Sequence, residues 1–185
     1  MLKDEILSVT FIVLSLVGLL CKSDIPYNMV TSAFMHGDFN HWLNNSMLFA
    51  VLSPMVERSY GKVSYLLAFL FTCWVDSLYQ GLVNQYGIGM SAFVFALFML
   101  NLMADSKHLF SICGLFVVVT YGGQELMATG KADGIGHMNH FIGMASGAVF
   151  AIATNYINGK LGGKKNDKNS PNPLTISKSK SIFGS

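Results

Sequence analysis

The sequence predicts an all-α polytopic membrane protein with six transmembrane helices, and three observations lead to this fold class. Hydrophobic residues make up 52% of the chain and charged residues only 12%, whereas a soluble domain usually carries about twice that charged fraction. The apolar residues fall in blocks, and the segments between them are short and rich in glycine, proline, asparagine and charge. A bilayer core needs roughly 20 helical residues per crossing, or fewer where the membrane thins.

Six apolar blocks follow one another along the chain, and each is a predicted span. They are residues 6–21, 42–56, 63–83, 91–103, 109–121 and 140–157. No small-x-small cleavage site follows the first block, so we expect it to remain as a span rather than to be removed as a signal peptide. Residues 1–157 are therefore predicted to form one membrane domain. Lys, Ser, Asn, Gly and Pro dominate residues 158–185, which are predicted to be a disordered tail.

The distribution of basic residues predicts the orientation of these spans. With the N-terminus in the cytoplasm, only Lys22 and Lys131 of the twelve basic residues fall on the outer side. Cytoplasmic loops carry the excess of Lys and Arg in membrane proteins. Both termini are thus predicted to be cytoplasmic, in a multi-pass protein of a bacterial-type plasma membrane.

Composition also argues against several classes of protein. The net charge is only +2, and the basic residues form no stripe interleaved with exposed aromatic residues, so we expect no nucleic-acid partner. The three cysteines are odd in number and lie inside apolar blocks, so we expect no disulfide framework.

This topology makes spans two, four and six parallel, with each of them starting at the outer face. Their first turns contain His41 and Asn45, then Ser91, then His137 and His140. Ionisable and polar groups inside membrane spans are costly and usually functional. Three helices that place such groups at one depth predict a composite site.

Ser91 is the candidate nucleophile of this site. It follows two glycines in the segment GIGMSA, residues 87–92, and these glycines permit an irregular backbone just before the helix. The N-terminus of a helix presents free N–H groups that can stabilise an oxyanion. The alternative is a structural serine that bonds to its own helix or to a neighbouring one.

His140 is the candidate base, because histidine is the usual activator of a serine nucleophile. It shares a helical face with Gly143 and Gly147, three and seven residues later. Glycines allow a second membrane helix to approach closely, and Ala92 and Ala96 offer a matching small surface on span four. Alternatively, a lone intramembrane histidine binds a metal or relays protons.

His41 and Asn45 are four residues apart and lie on one face of span two. Their side chains can donate hydrogen bonds to a developing negative charge, and the alternative is that they hold neighbouring helices together.

Four segments together resemble the rhomboid family of intramembrane proteases. HGDFNHWLNNSM, residues 36–47, is similar to the family pattern H-x-D-x-x-H-L-x-x-N-M, and Glu57-Arg58-x-x-Gly61 resembles the E-R-x-x-G turn after it. Residues 89–92, GMSA, resemble the nucleophile motif G-x-S-G/A, and the His140 segment resembles the motif of the sixth span. The likeness covers roughly residues 5–157.

The resemblance implies a rhomboid-like bundle and a catalytic dyad of Ser91 and His140 without a carboxylate. His41, Asn45 and the backbone N–H of Ser91 would form the oxyanion hole. Substrates would be single-span or other membrane proteins, cut in the bilayer near its outer boundary, with no cofactor and no metal. Phe95 stands where many members carry a tyrosine that stacks on the histidine, so we expect stacking to persist.

Two other functions stay open at this point. One is a rhomboid-like pseudoprotease that binds transmembrane helices, although such proteins usually lack the serine or the histidine. The other is a small transporter or metal-handling protein lined by His36, His41, His137 and His140, for which Asp76 is the only carboxylate expected within the spans. The glycine-rich residues 122–136 are predicted to form a mobile lid.

Overall fold

The computed structural model describes residues 5–21, 24–104, 112–128 and 136–162, and the regular structure in these ranges is entirely helical. This confirms the all-α class. In chain order the helices are α1 Ile6–Leu20, α2 Thr31–Phe34, α3 Phe39–Val83, α4 Ser91–Ala104, α5 Ile112–Ala128 and α6 His137–Gly162.

Two helices, α3 and α6, are long and apolar enough to cross a membrane, while α1 and α4 are apolar but shorter. Large apolar side chains point away from the bundle, including those of Val51, Val63 and Ile152, which are each at least 60% exposed. Apolar surface of this extent is unusual on a soluble protein and suits contact with lipid. The protein is therefore a helical membrane protein with two clear candidate spans, and the six-span count stays a prediction.

Helix α3 contains the second and third predicted spans in one element of 45 residues. It is interrupted at Gly61, where φ is 78° and ψ is 161°. This left-handed φ favours glycine and breaks the helix near its middle. Each half is long enough for the roughly 20 residues that one crossing of the bilayer requires.

The ends of α5 and α6 differ from the prediction. Residues 122–128 are helical and belong to α5, so the predicted lid is wrong over that part, whereas residues 129–135 lie outside the described residues. Residues 124–128 are all good helix formers, which outweighs the cost of the two preceding glycines. Helix α6 starts at His137 and runs to Gly162, and residues 163–185 of the predicted tail lie outside the described residues.

The N-terminus of α1 is held against α3 by a buried carboxylate. Glu57, 2% exposed, accepts hydrogen bonds from the backbone N–H groups of Leu7 and Ser8 at 3.3 and 3.0 Å, and from Ser8 Oγ at 2.8 Å. Ser53 Oγ donates to Ser8 Oγ at 2.7 Å, so the Tyr65 hydroxyl is the donor in its 2.6 Å bond to Ser53. The network supplies partners for N–H groups that a helix start leaves unpaired.

Helices α4 and α6 pack backbone against backbone at two glycines of α6. A Cβ atom added to Gly143 would lie 2.1 Å from the Ala92 carbonyl oxygen, and one added to Gly147 would lie 2.5 Å from that of Ala96. No side chain fits at either glycine. The predicted packing of the glycine face of α6 on the small residues of α4 is confirmed.

We predict that Gly143→Ala destabilises the protein by about 1–3 kcal/mol or more, because the new methyl group overlaps backbone atoms of α4 and the helices must separate. Gly159→Ala is the matched control, since it lies in the same helix and nothing is within 4 Å of its Cβ position. It should be neutral or stabilising by up to ~1 kcal/mol. Thermal unfolding in detergent measures both, and equal melting temperatures for the two variants would contradict the packing argument.

Candidate active site

The first turn of α3 positions two of the predicted site residues. The Asp38 side chain caps the helix by accepting a hydrogen bond from the backbone N–H of His41 at 2.9 Å. This cap starts the helix so that His41 and Asn45 follow on one face. A Cβ on Gly89 would lie 2.8 Å from two atoms of the His41 ring and 3.5 Å from Asn45 Nδ2. Both side chains therefore lie against the backbone that leads into Ser91.

The segment before Ser91 needs glycine for two reasons. Gly89 has a φ of 115°, a backbone conformation that residues with a Cβ atom rarely adopt. In addition, the His41 ring occupies the space that a Cβ atom would need. The Gly89 N–H donates to the Ser32 carbonyl of α2 at 2.9 Å, which holds the segment in place. Ser91 is then the first residue of α4, as the sequence predicts.

The ring of His140 stacks on Phe95, with centroids 4.4 Å apart and planes inclined by 14°. This confirms the expected stacking. Phe95 is one helical turn after Ser91, so the two share a face of α4 and the imidazole lies on that face. No hydrogen bond joins Ser91 to His140 within the described part of the chain. Such bonds are often long before substrate binds.

A carboxylate that the sequence analysis missed orients His140. Glu125 Oε2, on α5, is 3.0 Å from Nδ1 of His140 and 2.7 Å from Nδ1 of His137. A carboxylate can only accept hydrogen bonds, so the ring of His140 donates from Nδ1 and, when neutral, keeps its lone pair on Nε2.

The sequence analysis named Asp76 as the only carboxylate within the predicted spans, and Glu125 lies on α5 four residues beyond the predicted end of the fifth span. Glu125 falls beyond the predicted fifth span because the apolar block ends at Tyr121. The uninterrupted helix formers QELMA at residues 124–128 were the signal that this helix continues.

Four side chains keep a buried polar atom without a hydrogen-bond partner among the described residues. The atoms are Nε2 of His36, Nδ2 of Asn45, Oγ of Ser46 and Oδ1 of Asp76. His36 is fully buried, and its Nδ1 donates to the Phe34 carbonyl at 3.0 Å. Its ring meets that of His41 edge to face, with centroids 5.1 Å apart. Burial lowers the pKa of His36 to about 4, so this side chain is neutral at pH 7.

A small polar cavity lies next to Ser91. Its volume is about 20 Å³, which is room for about one water molecule. Its polar lining includes Ser32, Thr72, Asp76, Gln80 and Asn139. Asp76 accepts a hydrogen bond from Gln80 Nε2 at 2.7 Å, and Gln80 Oε1 in turn accepts from the N–H of Gly87 at 2.9 Å. The Asp76 side chain thus belongs to the surroundings of Ser91.

The structure brings His41, Asn45, Ser91 and His140 together around the starts of α3, α4 and α6. Among the described residues, the side chains whose ligand atoms converge closely enough to hold a metal ion are Glu125, His137 and His140, and this group includes neither His36 nor His41. His108 lies outside the described residues.

Comparisons with known proteins agree with the motifs. The model of the Rhomboid domain matches residues 24–156 of the chain. One curated relative, rhomboid-like protein 11, chloroplastic, of Arabidopsis thaliana, is 26% identical over 147 residues. The alignment covers 66% of this chain and 50% of that protein, so the chain spans about half the length of this relative.

Proposed function

The chain belongs to the rhomboid family, whose domain model matches most of its length, and from this premise we propose that it is an intramembrane serine endopeptidase that uses Ser91 and His140. One observation carries the proposal. The imidazole of His140 is stacked over the face of α4 that bears Ser91, and Glu125 holds its Nδ1. An Nδ1–H that donates to a carboxylate leaves the lone pair of the neutral ring on Nε2, which supports the role of a general base.

In the proposed reaction Ser91 Oγ attacks the scissile carbonyl carbon while its proton passes to Nε2 of His140. The tetrahedral intermediate collapses, and the same nitrogen returns the proton to the leaving amine. Water then attacks the acyl-enzyme with His140 again as the base, which releases the second product and restores Ser91. Glu125 fixes the orientation of the imidazole and stabilises its protonated form.

The oxyanion hole of the proposal consists of Asn45, His41 and the backbone N–H of Ser91. Asn45 Nδ2 supports this role because it is a buried donor that has no partner among the described residues. A buried donor without a partner destabilises the fold by about 1–3 kcal/mol. A role in binding the oxyanion explains why the protein keeps such a donor. The first N–H groups of α4 lack acceptors within the helix, so they are available to the same oxygen.

We propose six membrane crossings, with both termini in the cytoplasm of a cell with a bacterial-type plasma membrane. The two halves of α3 would each cross once, and α1, α4, α5 and α6 would supply the other four crossings. Arg58, close to the break at Gly61, pairs with Glu5, which supports an N-terminus on the same side as the break. The starts of α3, α4 and α6 then face outward, so substrates are transmembrane segments of membrane proteins cut near the outer boundary.

Kinetics on a generic single-span substrate test the roles of these residues. We expect Ser91→Ala to lower the rate by several orders of magnitude without unfolding the protein. Asn45→Ala and His41→Ala should each lower kcat by about 10²–10³ with little change in KM, as for the loss of one oxyanion donor. Undiminished cleavage by Ser91→Ala would contradict the assignment. A wild-type protein that binds the helix but never cleaves it would support the pseudoprotease instead.

A second set of variants separates the two histidines of α6. We expect His140→Ala to be inactive, whereas His137→Ala keeps substantial activity with an altered pH profile, because only His140 stacks over the face of Ser91. Glu125→Gln should lower kcat by about 10²–10⁴ and leave KM nearly unchanged, since the ring loses its orienting acceptor. Initial rates across pH 5–9 provide the measurement, and an inactive His137→Ala beside an active His140→Ala would reassign the base.

Reporter fusions test the proposed topology independently of the chemistry. Reporters fused after Gly162 and after Ala104 should indicate the cytoplasm, and one fused after Ala128 should indicate the outer side. An outer location for the fusion after Gly162 would contradict an even number of crossings. It would also remove the argument that α3, α4 and α6 start at the same face.

A further inference from the structure

We propose that Glu125, His137 and His140, called here the metal trio, bind a divalent transition-metal ion of the Zn²⁺ class, and that the bound ion reversibly switches off His140 as a base. The binding half of the proposal depends only on the geometry of the three side chains. The inhibitory half rests on the proposed function.

The ligand atoms of the metal trio already converge. One oxygen of Glu125 lies 2.7 Å from Nδ1 of His137 and 3.0 Å from Nδ1 of His140, and all three ligand atoms lie within 4.8 Å of one another. Around a tetrahedral Zn²⁺ ion with bonds near 2.0–2.2 Å, neighbouring ligand atoms are roughly 3.3 Å apart. Small rotations of the side chains therefore convert the hydrogen-bonded arrangement into a metal site.

The donor set selects the kind of ion. Two imidazole nitrogens and one carboxylate oxygen suit Zn²⁺ and its transition-metal neighbours, whereas Mg²⁺ and Ca²⁺ prefer sites made only of oxygen. His137 and His140 are one turn apart on α6 and reach Glu125 on α5. The side chain of His137 is 13% exposed, that of His140 14% and that of Glu125 16%. Solvent can thus deliver the ion, and water can complete its coordination.

Binding of the ion changes the tautomer of the neutral His140 ring, and the ring loses no proton. In the metal-free site each neutral ring carries its hydrogen on Nδ1 and donates it to Glu125, so Nε2 of His140 holds the lone pair that would accept the Ser91 proton. The ion needs the Nδ1 lone pair instead. The hydrogen of the neutral ring then resides on Nε2, which can no longer accept a proton. Chelation of the ion reverses the change.

Metal titration of the full chain in detergent tests binding without relying on proteolysis. The protein carries Ser91→Ala and Cys21→Ser, the latter to remove an exposed thiol, and has a purification tag without histidine. We expect one equivalent of Zn²⁺ to bind by calorimetry, and Co²⁺ to give the visible absorption of a tetrahedral site. His137→Asn and Glu125→Gln should each weaken binding at least about 100-fold, whereas Asp24→Asn, an exposed carboxylate outside the trio, should not. Stoichiometric binding that survives both trio variants, or no binding at all, would overturn the site.

A cleavage assay tests the inhibitory half by comparing each protein with itself in Zn²⁺ and in a chelator. We expect Zn²⁺ at saturation to lower the rate of the protein with an intact Ser91 at least tenfold and the chelator to restore it. The Zn²⁺ effect should disappear in His137→Asn, whatever the basal rate of that variant. One bound Zn²⁺ with no change in rate would overturn the inhibition. A protein inactive under every condition would contradict the proposed function, while the titration above still decides whether the metal site exists.

Discussion

The site depends on the contact of α6 with α4 at Gly143 and Gly147. Apolar side chains gain little from leaving lipid for one another, so membrane helices associate through close packing of small residues. Here carbonyl oxygens of α4 occupy the space of the missing side chains on α6. That contact sets the height and rotation of α6, and with them the stacking of His140 on Phe95. A wider separation would move the imidazole away from the face of α4 that carries Ser91.

The polar groups in this apolar bundle fall into two kinds. Around Glu57 the donors and acceptors of α1 and α3 satisfy one another in an unbroken chain, as the cost of burying polar atoms requires. Near Ser91 the pattern differs, because Asn45 Nδ2 and one oxygen of Asp76 are buried without partners among the described residues. We infer that the network around Glu57 holds helices together, whereas the unpartnered polar atoms near Ser91 bind substrate and water.

Sequence reasoning located features that depend on local patterns. The glycine face of α6 follows from spacings of three and seven residues, and the start of α4 at Ser91 from the glycines that precede an apolar block. The stacking on Phe95 follows from the resemblance to the rhomboid family, and the structure confirms all three features. Glu125 was missed because the glycines and polar residues around it are typical of a loop, although the structure shows that this segment continues the helix α5. Its partnership with two histidines is a contact between different helices, which no spacing within α5 encodes. The structure shows the break of α3 at Gly61, but that each half crosses the membrane once stays a prediction.

The central claim is that Ser91 is a nucleophile activated by His140, and covalent labelling tests it most directly. A fluorophosphonate reacts with an activated serine by forming a bond from Oγ to phosphorus and expelling fluoride. After labelling in detergent and digestion, mass spectrometry should find one adduct, on Ser91, which is absent from His140→Ala and formed more slowly in Glu125→Gln. An adduct on another residue, or equal labelling of Ser91 without His140, would contradict the account.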